Sequence, residues 1–248
     1  VLTATGSTFI GGLAGQGISG TKLTGIHNTA VGASAGLLLQ GTATQNTLIG
    51  ALAGDALTTG SDNTVVGKSA LSAGAASFYN TAIGHNALAA DTTGRLSVAV
   101  GRNALAAQDN TSSANMYNTA VGSGAGEALS TGTKNTFIGA LSGDAIVTGS
   151  ENVAVGYIAL TDLTSGTGNV AVGEECGSNI TDGNNNVAVG KLALFTNISG
   201  SQNIAIGAQA LRLNTGSNNL AIGFSALKNN AGGVTNVAIG HEAMLTNV

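Results

Sequence analysis

Polar and apolar positions alternate along this chain in a short pattern that returns from end to end. Asn, then a β-branched residue, then a small one, then Val or Ile, then Gly form the pentad Asn-(Thr/Val/Ile)-Ala-(Val/Ile)-Gly. Counting looser copies, it opens at Ser7, Asn28, Asn46, Asn63, Asn80, Ser97, Asn118, Asn135, Asn152, Asn169, Asn186, Asn203, Asn219 and Asn236. It closes at Gly11, Gly32, Gly50, Gly67, Gly84, Gly101, Gly122, Gly139, Gly156, Gly173, Gly190, Gly207, Gly223 and Gly240. Nine of the thirteen intervals are 17 residues; the others are 21 twice, 18 and 16. Branched residues at positions two and four, with a small one between, are the period-two mark of a strand. Strands are therefore expected near 29–31, 81–83, 153–155, 187–189 and 204–206. Positions two and four are assigned to the interior, which sends position three outward.

The closing Gly marks a corner at positive φ. Three residues later comes a small residue, as in Ala70, Ala159, Ala193 and Ala210, with Ser142 and Cys176 as variants. Leu or Gly follows. A second glycine, such as Gly60, Gly149, Gly166, Gly183 or Gly200, falls three residues before the next Asn or Ser, with Asn115 in its place once. Asn is the usual replacement for a left-handed Gly, so a second left-handed corner is expected there. Seventeen residues then hold two strands of four or five residues and two corners, one coil of a parallel β-solenoid. Coils that cannot bury an apolar face alone do so by stacking. The expected fold is all-β, about fourteen coils in one repeat domain over 1–248, roughly 65 Å long at about 4.8 Å per coil. The twelve pentad asparagines form a ladder of stacked amides. The 21-residue intervals place surface loops, most clearly at 109–117.

Composition narrows the classes. The 248 residues include 39 Gly, 25 Asn, no Pro or Trp, one Cys and eight aromatics, with 8% charged against about 25% in an ordinary soluble domain. Positive hydropathy and a net charge of −4 argue against disorder. Eight Lys+Arg against twelve Asp+Glu leave no cationic footprint for nucleic acid. No apolar run approaches a membrane span. One Cys excludes an internal disulfide framework. Without a starting Met or signal peptide, the chain reads as a portion of something longer.

Candidate chemistry is sparse, and neither an enzyme nor a cofactor or metal site is expected. His85 and His241 directly follow closing glycines, in a column that also holds Lys68, Arg102 and Tyr157 and so reads as solvated. Neither these two nor His27 belongs to a Ser–His–Asp or Cys–His set. Cys176 reads as a small buried residue. Adjacent Glu174 and Glu175 point to opposite faces of a strand. Asp182-Gly183-Asn184-Asn185-Asn186 lacks the spaced acids of a calcium loop and reads as a turn. Gly12–Gly17 has no βαβ context for a dinucleotide. Asn110, Asn179 and Asn197 open glycosylation sequons. Val66–Leu71 matches one hexapeptide acyltransferase unit, but such enzymes need three per coil. Thr29, Thr47, Thr64 and Thr81 share position two and suggest an ice-binding rank, which Val98 interrupts and which Thr-to-Val exchange on an inward column would explain instead.

The unit NTAIGxxAL…TTGxxN resembles the repeats of bacteriophage tail fibres and related surface proteins. It is similar also to the heads of trimeric autotransporter adhesins, left-handed β-rolls with a shorter repeat around NSVAIG. The resemblance spans residues 7–244. It implies a structural or adhesive fibre segment, extracellular on a virion or bacterial surface, that presents a receptor-binding tip. The implied partners are two further copies of itself in a homotrimer and a host cell-surface glycan or protein receptor, with no nucleic acid and no membrane insertion. An adhesin head is the alternative on the same architecture; an ice-binding solenoid and a solenoid enzyme are alternatives of other classes.

Overall fold

A computed structural model describes residues 5–17, 23–109 and 114–247. These residues form an all-β parallel solenoid of about fourteen turns with a repeat of about 17 residues, and none of them is helical. The chain divides into two compact units, 1–124 and 125–248. The first holds β1 (Thr8–Ile10), β2 (Thr29–Val31), β3 (Thr47–Ile49), β4 (Thr64–Val66), β5 (Thr81–Ile83), β6 (Val98–Val100) and β7 (Thr119–Val121). The second holds β8 (Thr136–Ile138), β9 (Val153–Val155), β10 (Val170–Val172), β11 (Val187–Val189), β12 (Ile204–Ile206), β13 (Leu220–Ile222), β14 (Asn229–Asn230), β15 (Val237–Ile239) and β16 (Thr246–Asn247). Within each unit successive pentad strands pair in parallel with equivalent residues level, as in Thr47↔Thr64↔Thr81 and Ala171↔Ala188↔Ala205.

The strands face the opposite way from the sequence expectation. Position three is interior: Ala154, Ala171, Ala188 and Ala205 are at most 1% exposed, while Ile204 and Ile206 on either side of Ala205 are 38% and 39% exposed. The reason lies in position one. Asn186 and Ala188 are two residues apart and share a face, so burying the Asn carries the Ala inward with it. Val, Ile and Thr then sit on the outer face, where a pleated surface still suits their branching.

The interior is narrow, and its residues match in size. It is filled by position three, by the small residue three past the closing Gly and by the Leu after that, such as Leu160, Leu194 and Leu211. Where position three is Phe or Leu, that Leu becomes Gly. A Cβ on Gly143 would lie 2.6 Å from the Phe137 ring, and one on Gly54 would lie 2.9 Å from Leu48. The core therefore closes on small residues and has no use for many aromatics.

Each coil holds one strand of three residues rather than the two longer ones expected; a second pair, β14 with β16, forms only in the last described coils. After the closing Gly the backbone turns through left-handed residues, Ser69 at φ 55 and Leu71 at φ 47, with Ala70 N–H donating to Gly67 and Gly74 N–H to Leu71. These turns still ladder onto the next coil, as where Leu71 N–H donates to the Ala87 carbonyl at 2.9 Å. Gly156, at φ 141, meets both demands of the closing corner: a Cβ there would be strained and would sit 2.4 Å from the Gly173 carbonyl oxygen. The second glycine differs from expectation. Gly183 does not have positive φ; it is small because a Cβ would lie 2.4 Å from the Gly200 carbonyl oxygen of the next coil. Of the expected 109–117 loop, residues 110–113 lie outside the described residues. Its end rejoins the coil, with Asn115 paired to Arg95 and Met116 fully buried.

Candidate functional site

The pentad asparagines make the most extensive polar array of the described residues. Asn28, Asn46, Asn63, Asn80, Asn118, Asn135, Asn152, Asn169, Asn186, Asn203 and Asn219 are at most 1% exposed, and Asn236 is half-buried. Asn186 shows how one amide is used in full. Its Nδ2 donates to Asn169 Oδ1 at 3.1 Å and to the Gly200 carbonyl at 2.9 Å. Its Oδ1 accepts from the backbone N–H of Asn203 at 3.0 Å and from its Nδ2 at 3.1 Å. Two donors and two acceptors are all an amide side chain offers, so the group can be buried without loss. The second glycine is thus a carbonyl acceptor for the ladder as well as a place of close approach.

A second amide column was not anticipated. It lies seven residues past the closing Gly, where Leu57, Ile146, Leu163 and Ile180 fill the core of other coils. From Asn197 onward that column is Asn. Asn214 Nδ2 donates to Asn197 Oδ1 at 3.1 Å, Asn230 to Asn214 at 2.7 Å, and Asn247 to Asn230 at 2.8 Å. The two ladders touch where Asn219 Nδ2 reaches Asn214 Oδ1 at 3.3 Å. Its sequence signal was the 16- or 17-residue spacing of Asn197, Asn214, Asn230 and Asn247, hidden among 25 asparagines. The column also buries Asn197, which places this sequon residue in the interior.

In the first unit the same column carries Asp91 and Gln108, beside the point where Ser97 replaces the ladder Asn. Gln108 and Ser97 hydrogen-bond at 3.1 Å, and Asn118 Nδ2 donates to Gln108 Oε1 at 2.9 Å. Asp91 is fully buried; its Oδ1 accepts from the Gly94 N–H at 3.0 Å, and its Oδ2 has no partner. Burial pushes its carboxyl up to about 6, with the Asp109 charge adding to the rise and the hydrogen bonds from Gly94, Gln108 and Ser77 opposing it. Asp109 itself accepts from the Thr92 hydroxyl at 2.6 Å.

The other candidates fall where packing puts them. His27, His85 and His241 are exposed. Cys176 is buried, and desolvation pushes its thiol up to about 12, which leaves it protonated and inert. In the segment 182–186, Asn184 Oδ1 is occupied by the Thr167 N–H and Asn186 belongs to the ladder, so their oxygens do not converge on a cation. Glu174 forms an exposed ion pair with Lys191 at 2.9 Å. Among the described residues no group of three or more His, Cys, Asp or Glu is placed to hold a metal, and no helix is long and apolar enough to cross a membrane.

One exposed corner departs from the repeat. The residue before each ladder position lies at φ near 60 and carries a polar side chain in most coils, such as Gln45, Asp62, Lys134 or Gln202. In three successive coils it is Tyr79, Leu96 and Tyr117. Phe78 packs beside Tyr79 with ring centroids 6.3 Å apart, and the Arg95 guanidinium lies 4.8 Å over the Phe78 ring. Asn115 Nδ2 donates to the Tyr117 hydroxyl at 3.0 Å. No protein-family model, curated protein or solved structure matches this chain.

Proposed function

We propose that this chain is a structural and adhesive segment of an extracellular homotrimeric fibre, a phage tail fibre or similar bacterial surface appendage that presents a receptor-binding tip. An autotransporter adhesin head is the same reading with a cellular anchor. The observation that carries it is the outer face of the strands. Positions two and four hold no charged residue in any of the fourteen copies. In the second unit that face is Val, Ile and Leu from β9 onward, with Val172 37%, Ile204 38% and Ile206 39% exposed. Monomeric soluble proteins keep contiguous apolar patches small, so copies of this chain are the natural cover for it. Three copies, rather than two, follow the resemblance of the repeat to fibres and adhesins. Sedimentation of the chain should give a trimer, and Val187→Arg with Ile204→Arg should give a folded monomer. A parent that sediments as a monomer at all concentrations would sink the proposal. Ala188 faces inward, not outward as the sequence suggested, so Ala188→Arg would test the core and not the interface.

A second reading gains from the facing of the strands. Thr29, Thr47, Thr64 and Thr81 look outward in register, beside Val31, Ile49, Val66 and Ile83. The inward position that argued against an ice-binding rank does not hold. Corner threonines differ, since Thr58 and Thr164 donate their hydroxyls to carbonyls of the next coil. An uncharged grid of hydroxyls and methyls suits an ordered water layer. A freezing-point gap in the monomeric variant, lost in Thr64→Tyr, supports this reading; no gap removes it.

A further inference from the structure

Where most coils place a polar side chain at one exposed corner, a local run of large apolar and aromatic ones breaks the repeat's own rule, and such breaks are expected at functional sites. In the first unit such departures gather. Three of the eight aromatic residues of the chain, Phe78, Tyr79 and Tyr117, fall on one corner of three successive coils, within the same stretch where Ser97 breaks the ladder. We infer that the corner bearing Tyr79, Leu96 and Tyr117 is a binding platform for the pyranose rings of a carbohydrate. This deepens the fibre reading by naming a ligand class, and it stands on the corner's own geometry.

The rank is regular because each of these residues precedes by two the registered positions Thr81, Val98 and Thr119. They are 55%, 37% and 51% exposed. Tyr79 and Tyr117 lie two coil rises apart, about 10 Å, which leaves room for neighbouring sugar rings across Leu96. Phenol rings offer flat faces to the C–H face of a pyranose and polar tips to its hydroxyls. Asn115 and Arg95 border the rings with further polar groups; Arg95 Nε is buried without a partner and held over Phe78. The rigid parts are thus in place before any ligand arrives, which keeps the entropy cost of binding low.

Size and charge select the sugar over other ligands. A protein partner needs about 800 Å² per side for a stable interface, and a three-residue corner falls well short. Single-stranded nucleic acid stacks on aromatics too, but in grooves lined with positive charge; here Arg95 is the cation at the rank and the chain carries −4.

Native electrophoresis of the full chain through gels containing dextran, mannan, laminarin or galactan tests the platform. Retardation by at least one polysaccharide is expected. Tyr79→Ala and Tyr117→Ala should each weaken it about tenfold, Tyr79→Phe should largely keep it, and Tyr157→Ala, an exposed Tyr elsewhere, should leave it unchanged. Circular dichroism of each variant checks that the solenoid is intact. No retardation in any of the four gels overturns the inference, as does retention unchanged in the folded double-alanine variant. Light scattering on the same samples separates the two readings. A trimer that ignores all four polysaccharides removes the platform alone, and a monomer retained through Tyr79 and Tyr117 removes the fibre alone.

Discussion

Single side chains in this fold are held by complete pairing, and the exceptions are where stability should respond. Asn186 satisfies four hydrogen-bond sites at once, so Asn186→Ala leaves Asn169 Oδ1, the Gly200 carbonyl and the Asn203 amide short of partners. Unpaired buried groups cost about 1–3 kcal/mol each before relaxation. A loss of about 3 kcal/mol is expected in urea unfolding, and a variant that unfolds like the parent would show the ladder to be ornamental. Asp91 is the opposite case, with Oδ2 left unpaired in an interior column that becomes amide in the later coils. Its carboxyl rises from 3.8 to about 6 because burial disfavours the charge. The folded protein therefore binds this proton more tightly than the unfolded chain does. The penalty is absent below 3.8, grows as pH climbs through about 6, and stays constant above, reaching about 3 kcal/mol. Parent stability should fall from pH 4.5 to 7.5 by more than that of Asp91→Asn, whose amide carries no charge to desolvate. Equal slopes for the two proteins would contradict this assignment.

At the scale of the coil, the closing corner is the least forgiving element. Gly156→Ala must place a Cβ at φ 141 and 2.4 Å from the Gly173 carbonyl oxygen, so the stacked coils have to part. Thermal unfolding should show a severe loss, whereas Tyr157→Ala, at the exposed residue that follows this Gly, should be nearly neutral. Similar melting of the two would show that the corner has slack. Much of this was legible in the sequence. Period, strand positions and the buried Asn column all follow from the pentad, because every copy repeats them. The facing of the strand was legible too, yet the branched residues drew the wrong assignment. A buried Asn186 and an outward Ala188 exclude each other in extended backbone, and the ladder decides between them. The missing second strand had no comparable signal. Leu71, Leu88 and Leu105 look like strand formers, but they lie at φ 47 to 52 and close turns instead. Nothing in a leucine announces a left-handed backbone, and only the stacking of neighbouring coils imposes it. The platform corner was hidden for another reason: Tyr79, Leu96 and Tyr117 are 17 and 21 residues apart and become neighbours only once the insert before Tyr117 is accommodated.

Across the whole molecule, surface ion pairs have little part in stability, and this separates two ways of assembling copies. Lys134 pairs with Glu151 at 3.0 Å and Lys191 with Glu174 at 2.9 Å, both on the exposed surface. Exposed pairs contribute about 0–1 kcal/mol and are screened by salt. The interior is instead held by Ala, Leu and amide columns, whose contacts salt does not screen. The melting temperature should therefore shift by no more than about 2–4 °C between dilute buffer and 1 M NaCl, as expected for about 1 kcal/mol in a chain of this size. Association should respond in the opposite sense to an electrostatic assembly. An uncharged Val and Ile face gains from salts that are excluded from protein surface, so sodium sulfate should tighten the proposed assembly while NaCl leaves it intact. Sedimentation across a salt series makes the distinction. If the assembly falls apart as NaCl rises, charged residues outside the strand columns hold it together, and the outer face of the strands is not the interface.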